Sequence, residues 1–369
     1  MIYSIQPCNC AATYTTNKVK AAPLKVTKNH LQNGIAQAVI VNSGNANACN
    51  PVEMENAELE AKVAADLLGI DTNDVIVAST GVIGQPLPIA CIQENAHCIE
   101  LSEAGNDKAA KAILTTDTVE TVIAVEFDIH GTTVKMGGIC KGSGMIHPNM
   151  GTMLAFITTD CNISSDLLDE MIHDNVKKTF NRVSVDGDTS TNDMCVIMAN
   201  GLAGNEEVSK EDDSYATFKE AFLFVMETLA KKIAADGEGA GKLMTSTVIH
   251  AANEAKAEVL SMSVCSSSLV KAAMFGADAN WGRVICALGY SGEDFDPETV
   301  DIYFKSKKGI VQCCKDGKGL PFDEELAKEI LLDDEVEIIS DMKEGDAFVS
   351  CWGCDLTYDY VKINGDYRT

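Results

Sequence analysis

Short apolar runs rich in β-branched residues alternate with amphipathic helical stretches along the whole chain, and this interleaving constrains the fold more than any other feature. QAVIVNSG (37–44), DVIVAST (74–80), ETVIAVEFDI (120–129), TTVKMGGIC (132–140), MLAFITTD (153–160), DMCVIMANG (193–201) and TSTVIHAA (245–252) read as strands, most ending at Gly, Asn or Asp. Helices are predicted over 54–68, 88–101, 166–180, 215–235, 267–275 and 323–332. The clearest follows a Ser-Asp opening in NISSDLLDEMIHDNVKKTF, with apolar residues at three-to-four spacing and lysines near its end. Strands and helices interleaved in this way predict a layered α/β architecture.

With 369 residues, 46% of them hydrophobic and 23% charged, the chain can bury a full core as one large domain or two packed lobes. The acidic tract NEEVSKEDDSY reads as a solvated loop and helix start, and places a lobe boundary near 205–215. A net charge of -26 argues against nucleic acid or an anionic membrane surface as a partner and leaves small polar metabolites open. No apolar run approaches the length of a membrane span and no leader pattern opens the chain, so a cytoplasmic protein is expected. The fourteen cysteines are scattered through apolar segments and read as small reduced core residues.

Several motif-like stretches do not carry the chemistry they suggest. DGEGAGK (236–242) has Asp236 where a phosphate loop needs its first Gly, and Leu243 where it needs Ser or Thr. CWGC (351–354) is a single Cys-x-x-Cys without a second pair, so no metal site is expected, and no cofactor. The six histidines are spread out and none accompanies a nucleophile elbow.

What remains is a set of small-residue turns at strand ends: NSGNANACN (42–50), STGVIGQPLP (79–88), KGSGMIHPNMGT (141–152), DGDTSTND (186–193) and GADANWGR (276–283). Each alone is explained as a turn; together they predict loops gathered at one sheet edge, where backbone amides can face a ligand. The Thr80-Gly81 turn can aim a hydroxyl and an amide at a developing oxyanion. Thr152 fits as a nucleophile whose base is its own α-amine, exposed if the chain is cut after Gly151, although Gly-Thr before a strand is ordinarily only a turn.

The ordered segments YTTNKVKAAPL, VNSGNANAC, STGVIGQPLP, ILTTDT, KGSGMIHPNM, SVDGDTSTND, DGEGA, GADANWGR and CDLTYDYVKIN resemble the ornithine acetyltransferase family of arginine biosynthesis, the bifunctional glutamate N-acetyltransferase/amino-acid acetyltransferases. They run from about residue 14 to the C-terminus. The resemblance implies a layered α/β sandwich of N-terminal-nucleophile-like type that cleaves itself between Gly151 and Thr152. The α chain would be 1–151 and the β chain 152–369, two of each in a heterotetramer. Carried over by position, Thr152 is the nucleophile, Thr80 and Gly81 form the oxyanion hole, and Thr115, Lys141, Thr152, Glu238, Asn364 and Thr369 bind substrate.

That assignment implies transfer of acetyl from N2-acetylornithine to glutamate through an acetyl-Thr152 intermediate, with acetyl-CoA open as a second donor. A related amidohydrolase or aminopeptidase, or a non-catalytic metabolite-binding protein on the same fold, is the alternative. The chain departs from the family at Gly151, where Ala is usual, at Gly241, where Thr is usual, at Gly365, where Ala is usual, and at Cys351, where a small residue is usual. Its first ten residues are expected to form a shortened or unusual first strand.

Overall fold

The computed structural model describes residues 1–148 and 153–366. They form two compact units, one built from residues 1–148, 153–181 and 188–229, the other from 182–187 and 230–366. The acidic tract at 205–215 lies inside the first unit. It is tied there by Asn205, whose side-chain amide donates to the Glu206 carbonyl at 2.7 Å and whose Oδ1 accepts the Asn162 N–H at 2.9 Å.

The first unit holds a seven-stranded mixed sheet. Its strands are β1 (Ile2–Tyr14), β2 (Ile35–Asn45), β3 (Val75–Val82), β4 (Thr121–Ile129), β5 (Thr132–Lys141), β6 (Leu154–Thr159) and, after β7 (Val183–Ser184) of the second unit, β8 (Met194–Ala199). The order is β3-β2-β1-β8-β6-β5-β4. Pairings β2/β3 and β6/β8 are parallel, the rest antiparallel.

Central β8 is buried at every position and reads as an unbroken apolar run, whereas edge strand β4 alternates exposed and less exposed residues. β1 runs 13 residues, with a register irregularity between Tyr3 and Cys8, where Pro7 has no N–H to give the ladder.

Helices of this unit are α1 (Ala22–His30), α2 (Glu53–Leu68), α3 (Ile89–Asn95), α4 (Asn106–Ala112), α5 (Ser165–Lys178) and the first part of α6 (Ser214–Ala235). The expected helix over 88–101 stops at Asn95, followed by one 3-10 turn. None of its seven α-helical residues is buried, so no packing face extends it. One core, around Leu24, Val39, Ile76, Phe156 and Val196, lies on one face of the sheet; Val26, Ile40, Val75 and Val77 pack with the alanines of α2 on the other.

The second unit adds β9 (Leu243–Ala251), β10 (Asp301–Ser306), β11 (Gly309–Lys315), β12 (Lys318–Gly319), β13 (Glu335–Asp341) and β14 (Ala347–Cys354) in the order β12-β11-β10-β13-β9-β14-β7. Its helices α7 (Glu254–Ser266), α8 (Ser268–Phe275), α9 (Trp281–Gly289) and α10 (Glu324–Leu331) pack with the sheet around Val248, Leu260, Val284, Phe304 and Ile338; α11 (Tyr358–Asp366) follows β14.

All fourteen cysteines are free thiols and ten are buried. Burial pushes the Cys351 and Cys161 thiols up to about 12, as expected of inert core residues. No helix among the described residues is long and apolar enough to cross a membrane.

Candidate active site

The parallel β2/β3 pair ends with Ser43 opposite Thr80 and Gly44 opposite Gly81. Thr80 is buried. Gly81 has φ +128°, and a Cβ there would lie 2.3 Å from the Gly44 carbonyl carbon and 2.6 Å from the Asn45 nitrogen. Only glycine lets the two main chains approach this closely.

The NSGNANACN loop closes over itself through its asparagines. Asn42 Nδ2 donates to the Asn45 carbonyl at 2.7 Å, Asn45 Oδ1 accepts the Asn47 N–H at 2.7 Å, and Asn47 Nδ2 donates to the Glu53 carbonyl at 2.9 Å. Asn192 then bridges both strand ends, donating from Nδ2 to the Ala46 carbonyl at 2.7 Å and the Ser79 carbonyl at 2.8 Å. A bond from the Thr189 hydroxyl to the Pro148 carbonyl, at 3.3 Å, ties the same turn to the loop after β5.

Lys141 closes β5 and is buried with its counter-ion: Lys141 Nζ stands 3.7 Å from Asp117 Oδ2, both side chains 2% exposed. Asp117 is the hub of this corner. Its Oδ1 accepts the Gly142 N–H at 2.6 Å, and its Oδ2 accepts the Thr115 N–H at 3.1 Å and, more weakly, the Thr115 hydroxyl at 3.5 Å. Thr116 and Ser143 join their hydroxyls at 2.7 Å beside it. A buried ion pair is tolerable when hydrogen bonds satisfy its remaining lone pairs, and here they do. Thr115 and Lys141 are thus brought together by an aspartate that sequence reading passed over. Its one signal was being the only acid in ILTTDT, with the β4–β5 hairpin between it and the buried lysine.

Asp193 is a second residue that went unread. It is fully buried just before β8, with Oδ1 accepting the Met153 N–H at 3.0 Å. Its backbone carbonyl accepts the Thr15 N–H at 3.0 Å, and the Met153 carbonyl accepts the Met194 N–H at 3.1 Å. Burial pushes its carboxyl well above the usual carboxylate range, against the pull of the Met153 N–H and of the Thr15 and Ser190 side chains. Gly151, Thr152 and Thr369 lie outside the described residues.

In the second unit, Asn364 on α11 donates from Nδ2 to Glu238 Oε2 at 2.7 Å, uniting two of the expected substrate contacts. The DGEGAGK turn is built to receive the C-terminal segment. Thr357 Oγ1 donates to the Gly239 carbonyl at 2.6 Å, and the Gly241 N–H donates to Asp355 Oδ1 at 2.7 Å. Gly239 has φ +70°, and a Cβ there would come 2.6 Å from the Tyr360 nitrogen, so this glycine serves chain packing.

GADANWGR also belongs to this unit, where Asn280 caps α9 by accepting the Arg283 N–H, so it is a helix start. CWGC lies in β14, with Lys271 Nζ donating to the Cys354 carbonyl at 2.5 Å.

A mixed α/β chain that buries a lysine-carboxylate pair and carries a constrained glycine turn has the build of an enzyme handling a small charged metabolite. The chain belongs to the ArgJ family, whose pattern matches residues 1–369. It is 48% identical over 372 residues to the arginine biosynthesis bifunctional protein ArgJ of Caldanaerobacter subterraneus subsp. tengcongensis, covering 100% of this chain and 92% of that one. It is 50% identical over 373 residues to the bifunctional protein ArgJ 1 of Clostridium acetobutylicum, covering 100% and 91%. Among solved structures, the bifunctional protein ArgJ of Bacillus halodurans aligns with TM-score 0.54 at 45% identity, over 57% of this chain and 98% of that one.

Proposed function

We propose that this chain is a self-processing glutamate N-acetyltransferase that moves acetyl from N2-acetylornithine to L-glutamate through an acetyl-Thr152 intermediate. The observation that carries the reading is the match over the full chain to relatives named as bifunctional proteins of arginine biosynthesis. Cleavage between Gly151 and Thr152 yields an α chain, 1–151, and a β chain, 152–369, and two of each form a cytoplasmic heterotetramer.

A threonine hydroxyl is too weak an acid to attack an amide unaided, and the α-amine released by cleavage supplies the base. As Oγ of Thr152 attacks the acetyl carbonyl, the Thr80 hydroxyl and Gly81 N–H receive the developing oxyanion. The C–N bond of acetylornithine then breaks, and ornithine leaves carrying the proton. The amine of glutamate attacks the acetyl ester, releasing N-acetylglutamate and restoring the hydroxyl.

Lys141, held by Asp117, supplies positive charge for an α-carboxylate, and Glu238, oriented by Asn364, supplies negative charge for the ornithine ammonium. Thr115, Thr369 and the tail complete the substrate contacts. The reading extends to acetyl-CoA as a second donor, on the bifunctional name of the relatives.

Incubation with N2-acetylornithine and glutamate is expected to give ornithine and N-acetylglutamate in equal amounts. Free acetate as the main product at saturating glutamate would instead mark a hydrolase, and no exchange at all a binding protein. Acetylation of glutamate by acetyl-CoA alone tests the second donor.

A further inference from the structure

The second unit buries a lysine that the acetyl-transfer scheme leaves unused. Lys271 lies on the inward side of α8 with Val270 and Met274 and is 4% exposed. Its ammonium reaches the end of β14, where Nζ donates to the Cys354 carbonyl at 2.5 Å and stands 3.6 Å from Cys354 Sγ. Its own main-chain carbonyl accepts the Leu356 N–H at 3.2 Å. One residue thus grips the chain on both sides of Asp355, where β14 has ended and α11 is about to begin. A methionine would fill the same space without the cost of burying a charge, so packing alone does not account for a lysine here.

From that grip the contacts lead to Glu238. Asp355 Oδ1 accepts the Gly241 N–H at 2.7 Å and the Lys242 N–H at 3.2 Å. Gly237 lies against the sulfur that Lys271 reaches: a Cβ on it would stand 2.7 Å from Cys354 Sγ. Thr357 Oγ1 donates to the Gly239 carbonyl at 2.6 Å, and Gly239 lies against the Tyr360 nitrogen. One turn further along α11, Asn364 Nδ2 donates to Glu238 Oε2 at 2.7 Å and to the Tyr360 carbonyl at 3.0 Å. The DGEGAGK turn therefore meets the segment from Cys354 to Tyr360 along its length, and Glu238, in the middle of the turn, is presented to Asn364.

We propose that Lys271 is a positioning residue for Glu238: by fixing the chain from Cys354 to Leu356 it sets the DGEGAGK turn against α11, and with it the place of the carboxylate that takes the ammonium end of the acetyl donor. This rests on the substrate role given to Glu238 above. Lys271 touches no substrate; it acts through Asp355, Thr357 and Asn364. What it governs is recognition of a cationic chain end and not the bond that changes, so its loss is read in KM.

The test uses the full chain carrying Lys271→Met, with two donors: N2-acetylornithine, and N2-acetylnorvaline, which has the same carbon skeleton without the δ-amine. Expected are a KM for acetylornithine raised on the order of tenfold with kcat held within about twofold, and a preference for acetylornithine over acetylnorvaline, as the ratio of kcat/KM values, that falls by the same factor. A loss shared equally by both donors is the mark of a merely structural residue and overturns the proposal, as does a parental KM.

Should Lys271→Met not fold, hydrogen exchange at the Leu356 amide decides in unsubstituted protein. Saturating ornithine is expected to slow it and norvaline to leave it unchanged, because coupling between the Lys271 grip and an occupied Glu238 runs both ways. The same exchange rate with both ligands overturns the proposal. Glu238→Gln, assayed with the same two donors, separates the two readings: if it keeps the parental preference, the substrate role of Glu238 fails, whereas preference lost in Glu238→Gln but kept in Lys271→Met strikes the role of Lys271 alone.

Discussion

Asp117 bears more of the candidate site than any residue the sequence singled out, because Thr115, Lys141 and Gly142 all converge on its carboxylate. Asp117→Asn strands the buried Lys141 charge and is expected to cost ~3 kcal/mol in denaturant unfolding, whereas adding Lys141→Met should recover much of that, since a buried pair removed together costs less than one broken. Equal, additive losses would show that the two are not coupled.

Gly81→Ala is expected to destabilise by ~2 kcal/mol or more and to abolish acetyl transfer, because φ +128° suits no side chain and the new Cβ collides with Gly44. A variant with parental activity would remove Gly81 from the oxyanion role. The Thr80-Gly81 turn could be picked out because a turn of small residues is a local signal, whereas Lys141 was named only through the family's motif. Asp117, Asn192 and Asp193 could not be picked out, because their meaning lies in bonds to chain 24 to 146 residues away that no local pattern encodes: Lys141, Ala46 and Met153.

Among the elements, α2 contains a feature that makes its stability depend on pH. Glu60 faces the apolar side of the helix with Ala57, Ala61 and Ala64, and among the described residues neither of its carboxyl oxygens has a partner. Burial raises its pKa from 4.5 to about 8. A carboxyl whose folded pKa is raised is held more tightly by the folded chain when protonated, so its contribution is fully present below pH 4.5 and is lost as pH rises toward 8.

Glu60→Met should therefore gain about 3 kcal/mol over the parent at pH 7 and flatten the fall in melting temperature between pH 5 and pH 8. A parent melting temperature that does not fall across that range would contradict this.

The strands of the first sheet other than β1 were readable from their β-branched apolar runs, and five of the six predicted helices from their helical periodicity. α7 was missed because Ser261 occupies a core position with Ala257, Leu260 and Val264, its hydroxyl satisfied by a 2.6 Å bond to the Ser246 carbonyl; a polar letter there hides the apolar stripe. α1 was missed because its buried positions include Thr27 and His30, each bonded to β3, through Val77 and Val75. Strands β10 to β14 mix buried apolar residues with ion-paired ends such as Asp301, which binds Lys343 at 2.8 Å, and this breaks the alternation that marks a strand.

At the scale of the molecule, the layered α/β class and the family were legible from ordered motifs spanning the chain, while the division into units was not. It follows contact between segments distant in sequence: Arg182–Gly187 joins the second unit through β7, which pairs with Trp352 and Gly353 of β14, so the chain crosses between units more than once and no single linker marks the boundary. The central claim is that this acidic chain makes its own catalyst by cutting before Thr152. Intact-mass spectrometry of the purified protein tests it most directly. Two fragments divided between Gly151 and Thr152, the second gaining one acetyl group on exposure to N2-acetylornithine, with Thr152→Ala remaining a single unacetylated chain, is the result expected; a single uncut chain with full acetyl-transfer activity would contradict it.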